Sequence, residues 1–186
     1  METPHSFRRI YKFLGLAFLL FSCASDLDID QVNDLKLEPV YVTNLAFFDV
    51  PANKFADDGT AEEIAFDIQP FNVFKEKFFT NRLVKAELYF EMENTINRSF
   101  SLDVVLYDTN DAILETLSFP VPAYTGGENI IKYPIEVFEA ERLALLKKTV
   151  KVGFTVRIGA GPALNENSVG NLKLRSSATA YMEIEK

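Results

Sequence analysis

Between Arg82 and Asn94 apolar and polar positions alternate without a break. Val84, Ala86, Leu88, Phe90 and Met92 are apolar, and Lys85, Glu87, Tyr89, Glu91 and Glu93 stand between them. Period two over that length predicts a strand with one buried face, because successive side chains of a strand point to opposite sides. Phe100, Leu102, Val104 and Leu106 repeat the pattern against Ser99, Ser101 and Asp103, with only Thr95-Ile96-Asn97-Arg98 between. That spacing predicts an antiparallel hairpin. Asp108-Thr109-Asn110-Asp111 predicts the next turn, into a strand over 112–119 that Pro120 and Pro122 stop.

Upstream, residues 40–50 are rich in β-forming side chains and close on Asp49 and Pro51, while Ile64, Phe66 and Ile68 alternate with Ala65, Asp67 and Gln69 until Pro70. Downstream, Gly126-Gly127 precedes a short strand over 129–133. The period then changes. Phe138, Leu143, Leu145 and Leu146 lie among Glu139, Glu141, Arg142, Lys147 and Lys148, acids first and lysines last, which suits a helix dipole. One short helix is expected there. Two long strands close the chain, one carrying Val150, Val152, Phe154, Val156 and Ile158, the other, after a loop over 159–170, carrying Leu172, Leu174, Ala178, Ala180, Met182 and Ile184. Seven or eight antiparallel strands with one short helix predict an all-β fold, an antiparallel β-sandwich, with a small barrel as the alternative.

Composition narrows the chemistry. The chain has 186 residues, one histidine, one cysteine and no tryptophan. The histidine is His5 and the cysteine is Cys23, both near the start. Without a histidine or a free thiol the remainder cannot build a Ser-His-Asp or Cys-His nucleophile, nor a zinc site of the usual ligands. A non-enzyme is expected, with no cofactor and no metal. The acidic balance, 27 Asp plus Glu against 19 Lys plus Arg, repels phosphate backbones and argues against nucleic acid.

The start of the chain has its own pattern. Arg8, Arg9 and Lys12 precede an uncharged run, Phe13 to Phe21, too short to span a hydrocarbon core of about 30 Å. Leu20, Ser22 and Cys23 at its end resemble the lipobox of bacterial lipoproteins, with Phe21 where a small residue is commoner. An ordinary secretory signal cleaved near Ser22 or Ala24 explains the apolar run but not the place of the sole cysteine. The resemblance implies removal of residues 1–22 and acylation of Cys23, with fatty-acyl chains such as palmitate anchoring the protein in membrane lipid. Ser25, Asp26, Asp28 and Asp30 are similar to the acidic export signal of surface lipoproteins of the Bacteroidota, which implies display on the outer face of the outer membrane. Residues 23–38 then read as an acidic tether and residues 39–186 as the domain. Removing residues 1–22 takes away three basic residues and one acid, so the mature net charge falls from −8 to −10.

Several constellations compete for a role. Asp26, Asp28 and Asp30 open like a calcium loop, but Gln31 and Leu37 stand where that loop needs glycine and glutamate. Asp57-Asp58 and the residues 108–111 read as turns. Glu87, Glu91 and Glu93 share one strand face, which a solvated surface explains without acid–base catalysis. Phe71, Phe74 and Phe78 fall at helical spacing beside Lys75 and Lys77, either capping the core or offering an apolar surface to a membrane or a partner. If the two closing strands form a hairpin, Lys151, Arg157, Lys173 and Arg175 cluster on its outward face, near the outward Tyr89, Tyr107 and Tyr181. Tyrosine and arginine are common interface anchors. The expected function is a lipid-anchored, non-catalytic accessory subunit docked on an outer-membrane β-barrel or envelope complex. A glycan- or other ligand-binding surface module is the alternative.

Overall fold

From Lys85 on, the alternation along the central strand becomes burial: Ala86, Leu88, Phe90 and Met92 are at most 3% exposed, while Lys85, Glu87, Tyr89, Glu91 and Glu93 face outward. Ahead of them a register shift between Leu83 and Lys85 buries Leu83 and exposes Val84, which the alternation places on the apolar face. A computed structural model describes residues 36–56, 63–71 and 76–184, for 63–70 the backbone alone. Among the described residues nine strands lie between Leu37 and Ile184. They are β1 (Val40–Pro51), β2 (Glu63–Pro70), β3 (Leu83–Asn94), β4 (Phe100–Tyr107), β5 (Ile113–Val121), β6 (Ile130–Lys132), β7 (Glu136–Phe138), β8 (Lys151–Ile158) and β9 (Asn171–Met182). A 3-10 turn covers Ala52–Phe55, and two helices, α1 (Lys77–Arg82) and α2 (Ala140–Lys148), precede β3 and β8.

The strands form two antiparallel sheets, an all-β sandwich. One sheet has the order β1-β9-β3-β6, with β7 also on β3, and the other β2-β8-β4-β5. Among the described residues, consecutive strands change sheet at six of the eight connections, and only β4 and β5 pair as a hairpin. This is the strand order of a double-sheet jelly roll, two interlocked Greek keys. The apolar faces meet between the sheets: Phe90 of β3 lies 4.6 Å from Phe119 of β5, and Phe55 lies 5.0 Å from Phe100, ring centre to ring centre.

Two expected pairings fail for one reason. β3 and β4 do not form a hairpin, because the link over 95–99 crosses from one sheet to the other, and β8 and β9 are likewise divided by the loop over 159–170. Period two says which face is buried but not which strand lies alongside. The crossing after β3 is fixed by Asn94, which is 2% exposed. Its Nδ2 donates to Arg98 O at 2.9 Å and to Pro122 O at 2.7 Å, and its Oδ1 accepts from Ile96 N at 2.9 Å. Ile96 is buried beneath the arch, and Tyr124 N donates to Ile96 O at 2.9 Å. Gly170 presses against this link with φ +105, where an added Cβ would stand 2.4 Å from Thr95 O.

Smaller departures have local causes. β5 continues through Pro120 to Val121 because it is an edge strand. Pro120 O accepts from the Tyr133 hydroxyl at 2.7 Å, so this residue's backbone faces away from β4 and its missing N–H costs no ladder bond. The helix expected from 138 begins at Ala140, and Phe138 belongs to β7, fully buried. Arg142 of α2 stands over the Phe138 ring at 4.3 Å and bridges Glu115 of β5 and Glu136 of β7, joining the two sheets at that end. The aromatic segment after β2 is not one helix. Phe71 precedes α1 and Phe79 lies within it, and both pack on the core; Phe78 is 47% exposed, and Phe74 lies outside the described residues.

Removing the Asn94 amide leaves three backbone groups of the arch without partners. With each such loss costing about 1–3 kcal/mol when buried, Asn94→Ala should lower unfolding free energy by about 3 kcal/mol or more in chemical denaturation. Asn94→Asp should be at least as damaging, because it turns a carboxylate toward two carbonyls. Retention of the wild-type midpoint by both variants would show that the arch does not depend on this side chain.

Candidate functional site

The outer face of the five-stranded sheet carries a ladder of charged side chains, and the register explains how it is arranged. Glu91 stands opposite Arg175, Glu93 opposite Lys173, and Lys85 opposite Tyr181. Opposite charges directly across a strand pair attract. Arg175 lies 2.9 Å from Glu91 and 3.8 Å from Glu93, and Lys173 lies 3.6 Å from Glu93 and 3.8 Å from Asp49. Lys85 pairs with Glu87 at 2.8 Å and Glu139 at 3.6 Å. The tyrosines join the same network: Tyr89 donates to Glu91 at 2.8 Å and Tyr181 to Glu87 at 2.9 Å.

The expected cluster of four cations does not form. Lys173 and Arg175 lie on β9 in this sheet, whereas Lys151 and Arg157 lie on β8 in the other. There Lys151 pairs with Asp111, and Arg157 lies 2.6 Å from Asp103, a residue only 4% exposed that also accepts from Ser118. Tyr107 stands opposite Lys151 on that second face. The seven interface candidates are therefore divided between opposite sides of the sandwich. Asp108, expected in a turn, caps it: its Oδ1 accepts from the N–H groups of Asn110 and Ala112.

Pairing shifts the protonation equilibria in a consistent direction. The Lys85 ammonium, then the Tyr181 hydroxyl, hold the Glu87 carboxyl below the ordinary glutamate range, and Tyr89 followed by Arg175 does the same to Glu91. The bond to Glu87 holds Lys85 above its ordinary value. A carboxylate so depressed contributes stability above about pH 4.3 and loses it as pH falls through the lower folded value. A raised lysine contributes below about pH 10.4 and loses it as pH rises through its higher folded value.

The neighbouring edge strand is different in kind. Val40, Val42 and Phe47 of β1 stand opposite Tyr181, Thr179 and Arg175, extending the outer face as an apolar row that is 54%, 70% and 68% exposed. Around the N-terminal end of β1, Tyr41 meets Phe79 edge-on at 6.1 Å, and Phe79 meets Phe78, over which Arg82 lies. Between Val40, Val84 and Met182 runs an open groove of about 420 Å³, rimmed by Glu38, Glu139, Glu183, Lys85 and Tyr181. Sequence reasoning missed the apolar row. The available signal was the absence of any charged residue from Pro39 to Phe48.

Cys23, Ser25, Asp26, Asp28, Asp30 and the pair Asp57-Asp58 lie outside the described residues. Among the described residues no three acidic, histidine or cysteine side chains come together to hold a metal ion, and no helix is long and apolar enough to cross a membrane.

No family model matches this chain, and no curated protein does. Solved structures with some likeness include that of infectious bursal disease virus Gx strain, at 9% identity and TM-score 0.46, covering 77% of this chain and 32% of that one. A predicted secreted protein from Parabacteroides distasonis matches at 15% identity and TM-score 0.40, over 77% of this chain and 38% of that one. Desmodium yellow mottle tymovirus matches at 14% identity and TM-score 0.32, over 81% and 91%. The chain spans about a third of the length of the first two. The jelly-roll assignment rests on its own strand order.

Thermal unfolding followed from pH 7 to pH 3 should show the melting temperature of the wild type falling through the acid range. The double variant Glu87→Gln, Glu91→Gln should start lower at pH 7 and fall less steeply. Parallel curves would mean that the paired face contributes nothing to acid stability.

Proposed function

We propose that this chain is a lipid-anchored, non-catalytic binding subunit of the bacterial envelope. Fatty-acyl chains on Cys23 hold it at the outer membrane, its acidic tether displays it outward, and it docks on an outer-membrane β-barrel or envelope complex. The observation that carries this reading is the contrast on the five-stranded sheet. The charged side chains of its outer face are paired with one another, while exposed apolar side chains concentrate on β1 and beside α1. Concentrated apolar exposure of this kind marks interaction surfaces.

Support for the anchor comes from the sole cysteine at the end of the apolar run. Several acyl chains at about 0.8 kcal/mol per buried CH₂ hold far more firmly than one. Residues 23–36, ahead of the sheet, reach at most about 3.3–3.6 Å each when extended, roughly 48 Å in all. The chain enters the sheet at Leu37, which pairs with Ile184, so the tether leaves from the end of the domain where β1 is most exposed.

Detergent-phase partitioning and intact mass test the anchor. Wild type should enter the detergent phase having lost residues 1–22 and gained lipid, and Cys23→Ala should move to the aqueous phase. Equal detergent-phase recovery of both would sink the anchor. Alanine at Asp26, Asp28 and Asp30 should reduce protease accessibility on intact cells. A stoichiometric integral-membrane partner in detergent extracts supports the subunit role, whereas a monomer that binds on a glycan array would assign the domain to the ligand-binding class. Charge reversal at Arg157 and Arg175 together perturbs two opposite faces, so each should be reversed singly in such copurifications.

A further inference from the structure

β1 ends the five-stranded sheet, and among the described residues no strand pairs with its far side. The ladder shows which backbone groups stand open. Leu37 and Ile184 exchange both of their bonds, at 3.0 and 2.8 Å, and Met182 N donates to Pro39 O at 3.0 Å. Bonded pairs recur at every second residue of an antiparallel ladder, so Tyr41 opposite Ala180 and Thr43 opposite Ala178 bond inward. Val40, Val42 and Asn44 turn their N–H and C=O groups away from β9. All five residues from Val40 to Asn44 are exposed.

Natural sheets blunt such an edge with charge, proline or a bulge. Here no charge stands between Glu38 and Asp49, and the bulge comes late, between Asn44 and Phe47. Ser176 closes it, accepting from Ala46 N and donating to Ala46 O, both at 2.9 Å. A five-residue uncharged edge remains ahead of it.

We propose that Val40–Asn44 is a docking edge to which an extended segment of a partner protein, apolar at alternate positions and basic at its ends, adds as a further strand. The inference rests on the binding-subunit reading and names the kind of segment bound. Main-chain bonds to Val40, Val42 and Asn44 supply affinity, and alternate side chains of the segment lie beside Val40 and Val42 on the outer face or toward Tyr41 on the other. The basic ends follow from charge: Glu38, Glu139 and Glu183 rim the groove at the start of the edge, and the chain as a whole carries net negative charge. A second copy fits less well. It brings the same negative charge, and a rigid sandwich meeting five residues of strand falls short of the ~1,200–2,000 Å² that stable interfaces bury. A flexible segment continues past the edge over Phe47 or the Tyr41–Phe78 cluster.

The test uses the full chain extracted in detergent and a fluorescent peptide with two lysines at each end of an alternating valine–threonine core. The Val42 N–H points away from β9, so Val42→Pro removes a docking donor and spares the ladder. Val42→Lys keeps the donor and sets a charge against the basic probe. Wild type should bind saturably and more weakly as salt rises, and both variants should bind at least tenfold more weakly with melting temperatures near wild type. Undiminished binding by the variants, or no binding by wild type at low salt, overturns the proposal. Concentration-dependent dimerisation in sedimentation, abolished by Val42→Pro, would overturn it in favour of a second copy. An envelope partner retained in full by Val42→Pro overturns the docking edge while leaving the subunit reading intact.

Discussion

A buried side-chain amide must satisfy its hydrogen bonds, and in this protein that requirement fixes the point after β3 at which the chain leaves one sheet for the other. Asn94 ends β3 with three bonds, two to the backbone of the link after β3 and one to the start of the link after β5. Unpaired, those groups would carry a desolvation cost, so the amide and the arch specify each other. Once β4 is sent to the opposite sheet, β3 is left open along both edges. The later strands β6, β7 and β9 occupy them, and β8 takes the free edge of β4. The Greek-key order thus propagates from one crossing. The connections at that end are tied to one another as well: Arg98 donates to Gly159 O and Pro162 O, and Thr95 exchanges bonds with Asn171.

Alternation in the sequence was enough to locate almost every strand and the burial of its faces, because a strand's two faces are a local property of the chain. Neighbours are not local. Thr95 to Arg98 has the length of a hairpin loop, and nothing in its composition distinguishes a reversal within one sheet from a step between two. The distinguishing residue was Asn94, a polar residue at a position whose parity is apolar. Pro120 misled for a related reason: proline stops a central strand but not an edge strand, and the edge position of β5 follows only from the whole topology. β7 was not visible because its one buried residue, Phe138, fell in with the apolar positions of the helix that follows.

The candidate surface was partly readable. Tyr89, Tyr181, Lys173 and Arg175 do point outward from the five-stranded sheet, as their parity requires. What parity could not supply was their partners. Placed opposite Glu91 and Glu93, the cations become half of a neutralising ladder and not a cationic patch. Cross-strand pairs of this kind are worth a fraction of a kcal/mol to about 1 kcal/mol each, and a partner that used these charges would first have to break them. This shifts attention to β1. Its distinguishing feature is something missing, since a charge-free strand is unremarkable in a sheet centre and exceptional only at an edge.

Anchoring and an open edge bear on each other physically. An uncharged, exposed strand edge invites pairing between any two chains that meet freely in solution. Tethered to a membrane by its N-terminal segment, a domain is limited in the orientations it can present, and the edge here begins only three residues after the chain enters the sheet at Leu37. Self-repulsion acts in the same direction, because each copy carries net negative charge. The late bulge limits the edge from the other side, since Ser176 draws the Ala46 backbone back toward β9 and ends the row of outward-facing groups. Length and charge oppose indiscriminate strand pairing, and the proposed tether would add to them, while leaving room for a short, basic, extended segment; that selectivity is what would distinguish a docking edge from an aggregation hazard.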